Sequence, residues 1–296
     1  MRKSVKANKL KSVLVALGLI IVLIITYFLA DGELLSKNAS FDASQSFVRF
    51  LDVGQGDAAL IYSNGYSALI DTGTSESAND VCIALDSCGI ERIDVLIISH
   101  LHTDHTGGVE MIAEQFGIDN VILPELSVGS EGLGHAEYLI NKVTSTGGEI
   151  YTAKQGMNFT VGEFEITVLA SFDKLDDENN RSIMLAAEID DKRFIFTGDA
   201  EVKAENMLLN EGLDLKCDVF KAGHHGSSTS NSEKLLSEMR PEFAVVSAGA
   251  NNMYGHPHRE VLSAFEHFDI EVLRTDLIGD ITFYVKKGHI NPKYEK

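Results

Sequence analysis

Four times along this chain a short apolar run stops on a histidine or a carboxylate. "SALIDTG" ends at Asp71, "IDVLIIS" runs straight into His100, "RFIFTGD" ends at Asp199, and "CDVFKAGHH" reaches His224 and His225. Such runs, bounded by Gly and polar turn residues, read as short strands. A lone strand is unstable in water, so a fold that uses these residues jointly must gather several strand ends in one place.

The densest of these ends is His100-Leu101-His102-Thr103-Asp104-His105, just before Gly107-Gly108. In a turn, side chains two apart point the same way, so His100 and His102 can grip one ion. Asp104 and His105 can then reach a second ion from the other side. Imidazole with carboxylate suits zinc, manganese or iron, and no thiolate takes part. The alternative is a hydrogen-bonded polar turn, which one histidine would favour but four ligand-type side chains do not. Asp199 is placed to bridge two cations; it also fits a helix cap, since "GDAEVKAE" looks like a helix start. His224 and His225 sit in a Gly-flanked loop that permits close approach. Asp71 reads as a carboxylate that orients a ligand histidine. In "NNMYGHPH", His256 is the candidate substrate-facing histidine, as phosphate donor or general acid, whereas His258 fits a helix start equally well.

From residue 47 to residue 296 the pattern reads as one domain with two halves, each of strands followed by alternating strand and helix. Stacked sheets with helices outside are the expectation. "DVGQGDAA" fits a dinucleotide fingerprint but leads into strand-like "ALIY", not a helix. Gln55 and Asp57 therefore read as the mouth of a site or as a plain tight turn. Three cysteines make no complete disulfide framework, no CxxC occurs, and buried thiols are expected.

The N-terminus has a different character. Basic residues 1–11 precede "SVLVALGLIIVLIITYFLA", an uncharged run over 12–30 that spans roughly 28 Å as a helix, about one hydrocarbon core. Its apolar part exceeds the roughly 7–15 residues of a signal core, and Phe28-Leu29-Ala30 is a poor cleavage site. An uncleaved transmembrane anchor is expected, with residues 1–11 cytoplasmic, 31–46 a polar linker and the domain extracytoplasmic. Beyond the basic flank, 20 of the 25 Lys and Arg remain against 44 Asp and Glu, a balance of −24. That excludes a general polyanion-coating surface, though not an anionic substrate held at a metal site.

"HLHTDH", "LIDTG", "TGDA" and "HHGS", in this order, resemble the metallo-β-lactamase-fold hydrolases. More narrowly, "FLDVGQGDA", "NNRSI", "FTGDAE", "KAGHHGSS" and "SAGANNMYGHPH" are similar to the hydrolase domain of ComEC-type DNA-uptake proteins over roughly residues 47–285. The resemblance implies an α/β fold, a four-layer αββα sandwich with metals at the edge between two sheets. It implies His100 and His102 on a first ion, Asp104, His105 and His225 on a second, Asp199 bridging and His224 alongside. The ions are expected to be divalent, zinc first and manganese second. Where the superfamily places a further histidine on the first ion, this chain has Asn179 and Asn180; the ComEC-type group itself tends to carry Asn there. That group often replaces the second histidine of the cluster with Asp, whereas this chain keeps His102.

Four neutral imidazoles with Asp104 and Asp199 against two divalent ions leave a net positive centre. Such a centre lowers the pKa of bound water and suits an anionic phosphodiester. Lys221, Arg181 and His256 lie in or beside motif loops, where they could neutralise phosphate oxygens. The expected activity is a membrane-anchored phosphodiesterase with Asp104 and His256 in catalysis, acting on DNA. A cell-wall phosphodiester, an acyl hydrolase of lactone or β-lactam type, and a non-catalytic metal-binding module are the alternatives.

Overall fold

The apolar runs form strands of two sheets. The structure, a computed structural model, describes residues 45–126, 133–175 and 177–295. The anchor expected at 12–30, its basic flank and nearly all of the linker lie outside these residues. Among the described residues no helix is long and apolar enough to cross a membrane.

The first sheet has eight strands in the order β15-β14-β1-β2-β3-β4-β5-β6. These are β1 (Ser46–Phe50), β2 (Ala59–Ser63), β3 (Tyr66–Ile70), β4 (Ile93–Ile97), β5 (Ile118–Leu123), β6 (Glu149–Thr152), β14 (Asp280–Lys286) and β15 (His289–Glu295). The second has seven, in the order β13-β12-β11-β10-β9-β8-β7. These are β7 (Asn158–Val161), β8 (Phe164–Ala170), β9 (Met184–Ile189), β10 (Lys192–Phe196), β11 (Val219–Lys221), β12 (Phe243–Val246) and β13 (Glu271–Arg274).

Each sheet changes character part-way. Pairing is antiparallel from β15 to β3 and parallel from β3 to β6. It is antiparallel from β7 to β10 and parallel from β10 to β13. Parallel neighbours need a crossover, which explains the helices at Ala78–Ser87, Val109–Gln115 and Leu133–Ser145 in the first half and Val202–Asn210, Glu233–Met239 and Arg259–His267 in the second.

Alternation along the strands decides the layering. Phe50, Ile61, Ile70 and Ile97 of the first sheet share one core with Val168, Leu185, Phe194 and Phe196 of the second. The Phe50 and Phe196 rings stack at 5.7 Å across it. Ile195, Phe220, Ala244 and Val246 point the other way and pack with Leu208, Leu235, Leu236 and Phe265 from the helices. Burying each large side chain contributes about 1.5–3 kcal/mol, so this two-faced burial is a strong constraint on how the sheets meet.

That register sets the position of the functional loops. Asp71 follows β3, the His100–His105 segment follows β4, Asp199 follows β10, His224 and His225 follow β11, and His256 lies in the loop after β12. All five are at carboxyl ends of parallel strands, the usual binding end of open α/β sheets.

Two local expectations are settled here. Asp199 is not the helix cap: the Asn180 Oδ1 accepts the N–H groups of Glu201 and Ala204, both at 3.2 Å, at the start of Val202–Asn210. Residues 51–58 join antiparallel β1 and β2 with no helix after them, so the dinucleotide fingerprint fails. The three cysteines are buried and form no disulfide.

Candidate metal centre

Asp104, His105, Asp199 and His225 each bring one ligand atom to within 4.8 Å of the others. The short helix Thr103–Thr106 carries Asp104 and His105, and the backbone of His224 and His225 turns left-handed, with φ of 50° and 53°. Such a conformation costs a non-Gly residue energy and here accompanies the aiming of both rings. His225 Nε2 lies 3.3 Å from Asp104 Oδ2 and 3.5 Å from Asp199 Oδ2, and His105 Nε2 lies 3.4 Å from Asp199 Oδ1.

His105 Nε2, His225 Nε2 and Asp199 Oδ1 are buried with no hydrogen-bond partner among the described residues. Converging buried polar atoms without partners are costly, and a divalent cation among them removes the cost. The all-nitrogen-and-oxygen donor set fits such an ion. His100 stands beside this group, its Nε2 3.0 Å from His102 Nδ1 and 3.8 Å from Asp199 Oδ2. His224 Nε2 lies 3.7 Å from the same Asp199 oxygen.

A layer of carboxylates sits behind the histidines. Asp71 Oδ2 takes the Nδ1 of His105 at 2.8 Å while its two oxygens accept the backbone N–H and hydroxyl of Ser99, each at 2.7 Å. Asp57 Oδ1 lies 3.3 Å from His225 Nδ1, and its Oδ2 accepts from Lys221 Nζ at 2.8 Å. On His105 a carboxylate at the far nitrogen fixes the ring, whereas the His225 Nδ1 bonds to the Ser247 carbonyl at 3.1 Å with Asp57 as a charged neighbour; each partner turns the near nitrogen towards the candidate metal position. Lys221 is only 4% exposed and its ammonium also donates to Ala222 O. It is therefore an internal counter-ion, not a neutraliser of phosphate. Arg181 is likewise tied, donating to Leu175 O and pairing with Glu178.

Charges follow this geometry. Burial opposes ionisation of Asp199 and Asp57, yet His225 and His105 hold Asp199, and Lys221 and His225 hold Asp57, below the usual carboxylate range. Burial also opposes the charge on His105 and His225, but Asp199 with Asp71 or Asp57 lifts both well above the ordinary imidazole value in the metal-free protein. His100 goes the other way, held neutral by burial and by neighbouring His105.

The cluster opens onto a cavity of about 500 Å³, lined among others by Gln55, His102, His135, Glu178, Asn179, Tyr254 and His256. The two asparagines part here. Asn179 lines the cavity with a buried Oδ1 that has no partner, while Asn180 is turned inward as the cap. Gln55 reaches the cavity and Asp57 does not. Gly249 N–H donates to Gln55 Oε1 at 3.2 Å, which turns the Gln55 amide nitrogen to His256 Nδ1 at 3.5 Å. Nδ1 is then the acceptor and Nε2 holds the proton. Burial, with His225 nearby, pulls the His256 pKa down to about 4. It is a neutral donor at pH 7, which argues against the general-acid role. His258 sits at the start of the helix Arg259–His267 and its Nδ1 accepts from Ser228 N–H. His135 and Glu178 gave no sequence signal of their own, and Tyr254, although inside "NNMYGHPH", is not singled out by it; each acquires its place only through the packed fold.

A family model described as "Metallo-beta-lactamase superfamily" matches residues 51–250. ComE operon protein 3 of Bacillus subtilis (strain 168) is 31% identical over 82% of this chain and 34% of its own length. Competence protein ComA of Neisseria gonorrhoeae is 30% identical over 83% of this chain and 33% of its own. The chain thus spans about a third of the length of these curated relatives. Among solved structures, the metallo-β-lactamase fold protein YhfI from Bacillus subtilis superposes with a TM-score of 0.54 at 14% identity, covering 84% of this chain and all of that one.

Proposed function

The chain belongs to the metallo-β-lactamase superfamily, and from that premise we propose that it is a metal-dependent phosphodiesterase acting on nucleic acid. The observation that carries the reading is the buried Asp104, His105, Asp199 and His225 cluster, with unpartnered donor atoms, beside an open cavity. Likeness to a protein named for competence, together with the ComEC-type resemblance of the sequence, favours nucleic acid over a wall polymer.

The layered sheets and helices are read as the four-layer αββα sandwich, with the ligands at the edge between its sheets. Asp199 directs Oδ1 to His105 and Oδ2 to His100, His224 and His225, which supports a pair of ions, zinc or manganese. His100, His102 and Asn179 would share one with Asp199, and Asp104, His105 and His225 the other. When bound, such a pair supplies an activated water and positive charge for the developing phosphorane. His256 donates a hydrogen bond from its Nε2–H to a substrate oxygen and Gln55 holds that tautomer. Asp71 keeps the His105 ring aimed and the Ser247 carbonyl that of His225. Anchoring through residues 12–30, with the domain outside the cytoplasm, belongs to the same proposal; extraction with alkaline carbonate tests it, and release into the supernatant would sink it.

The deciding experiment combines metal analysis of the full chain with turnover of bis-p-nitrophenyl phosphate, beside a His102→Ala/Asp104→Ala variant. Bound metal and a loss of at least ~100-fold in the variant are expected. Turnover of nitrocefin or a lactone without the diester would select the acyl-hydrolase alternative. Equal diester turnover by both proteins would refute the site.

A further inference from the structure

We infer that Tyr254 is a stacking platform for an unpaired base, which makes single-stranded nucleic acid the preferred substrate. This rests on the phosphodiesterase reading above and names the substrate class of that same cavity.

The loop after β12 exposes two large apolar side chains, Met253 at 89% and Tyr254 at 59%, and of these Tyr254 lines the cavity. This loop is tied down. Asn252 Nδ2 donates to Gly249 O at 2.9 Å and His256 O at 2.7 Å, while its Oδ1 accepts from Tyr254 N–H at 3.2 Å and His256 N–H at 3.0 Å. His258 Nε2 donates to Tyr254 O at 3.1 Å. An exposed aromatic on a backbone held from both sides is pre-organised, so little ordering is left to do when a ring lands on it.

The rings also form a line. His225 and His256 are 6.2 Å apart at 28°, and His256 and Tyr254 are 5.6 Å apart at 22°. One end is a ligand of the candidate metal centre and the other faces solvent.

Any positive charge at the cavity comes from the candidate ions. No Lys or Arg is among the described residues that line the cavity, so backbone neutralisation by basic side chains, the usual source of nucleic-acid affinity, is missing there. Stacking is the sequence-tolerant alternative, changing affinity by roughly five- to a hundredfold per base. A paired base keeps both faces inside the duplex and must first be unstacked at a cost of a few kcal/mol, which selects single strands.

The test compares the metal-loaded full chain with Tyr254→Ala and Tyr254→Phe on a single-stranded oligodeoxynucleotide, the matching duplex, and an oligomer whose residues are abasic. Expected are a preference of the parent for the single strand over the duplex and about a tenfold rise in KM for the single strand in Tyr254→Ala. Tyr254→Phe should retain the parent value, kcat should stay within twofold, and the abasic oligomer should not distinguish the proteins. An equal change on the normal and abasic oligomers, no change at all, or a preference for duplex overturns the inference while leaving the phosphodiesterase reading standing. Failure of the parent to cleave any of these substrates or bis-p-nitrophenyl phosphate removes both.

Discussion

The adjacent asparagines Asn179 and Asn180 should fail in opposite ways when each is replaced by alanine. Asn180 is buried and makes four hydrogen bonds: its Oδ1 takes the N–H groups of Glu201 and Ala204, and its Nδ2 donates to Asp177 Oδ1 and Glu201 Oε2 at 3.3 Å. Loss of the cap leaves the first turn of Val202–Asn210 with unpaired donors, about 1 kcal/mol. The bonds to the two carboxylates, which water can partly replace, add roughly another 1 kcal/mol together. Asn180→Ala should therefore lower stability by about 2 kcal/mol, read as a drop in the urea midpoint of the chelator-treated protein.

Asn179 makes no hydrogen bond through its Oδ1, so Asn179→Ala should leave that midpoint within about 0.5 kcal/mol of the parent. What it should lose is metal: affinity for the more weakly held ion should fall by ~10–100-fold in a competition titration, in line with losses seen when a site's supporting polar groups are removed. An Asn179→Ala protein destabilised by 2 kcal/mol with unchanged metal binding, or an Asn180→Ala protein of parental stability, would refute the assignment of these two side chains.

Three further outcomes follow from the same geometry. Lys221→Met strands the buried Asp57 carboxylate and should cost about 3 kcal/mol, the low end for a broken buried pair because His225 remains as a partner. Asp57 is held low in the fold, so the stability this pairing contributes is present above the unfolded carboxylate pKa and is lost as pH falls below it; the variant's deficit should hold from pH 7 to about pH 4 and shrink below about pH 4 in urea melts. His105 and His225 are raised in the metal-free protein, so their contribution is complete below the unfolded imidazole value and fades as pH rises through the folded one. Metal-free stability should accordingly decline above about pH 6.5, and zinc binding at pH 7 should release about two protons, seen by calorimetry in buffers of different ionisation enthalpy. Finally, with no Lys or Arg among the described residues of the cavity wall, only about one phosphate is neutralised, by the candidate ions, and KM for single-stranded DNA should rise only about two- to threefold between 50 and 200 mM salt. A rise of tenfold or more would mean a basic binding surface elsewhere.

The candidate metal ligands were legible in the sequence because each is announced locally. An apolar run long enough for a strand, followed at once by His or Asp and a Gly, marks both the strand and the polar group at its end, as at His100, Asp199 and His225. Only the tertiary structure decided how their neighbours divide. Asn179 and Asn180 are adjacent in one short turn and point different ways, the first to the cavity and the second under a helix that begins 22 residues later. Lys221 looked like a phosphate group's partner, but it ends β11, where the strand's alternation and the stacking of the two sheets turn it inward to Asp57. Tyr254 falls within the "NNMYGHPH" motif but its role was not legible there, since its exposure beside the cavity depends on the Asn252 bonds and on where β12 stops. Residue chemistry is local and can be read from the chain; direction is set by packing between segments far apart in it.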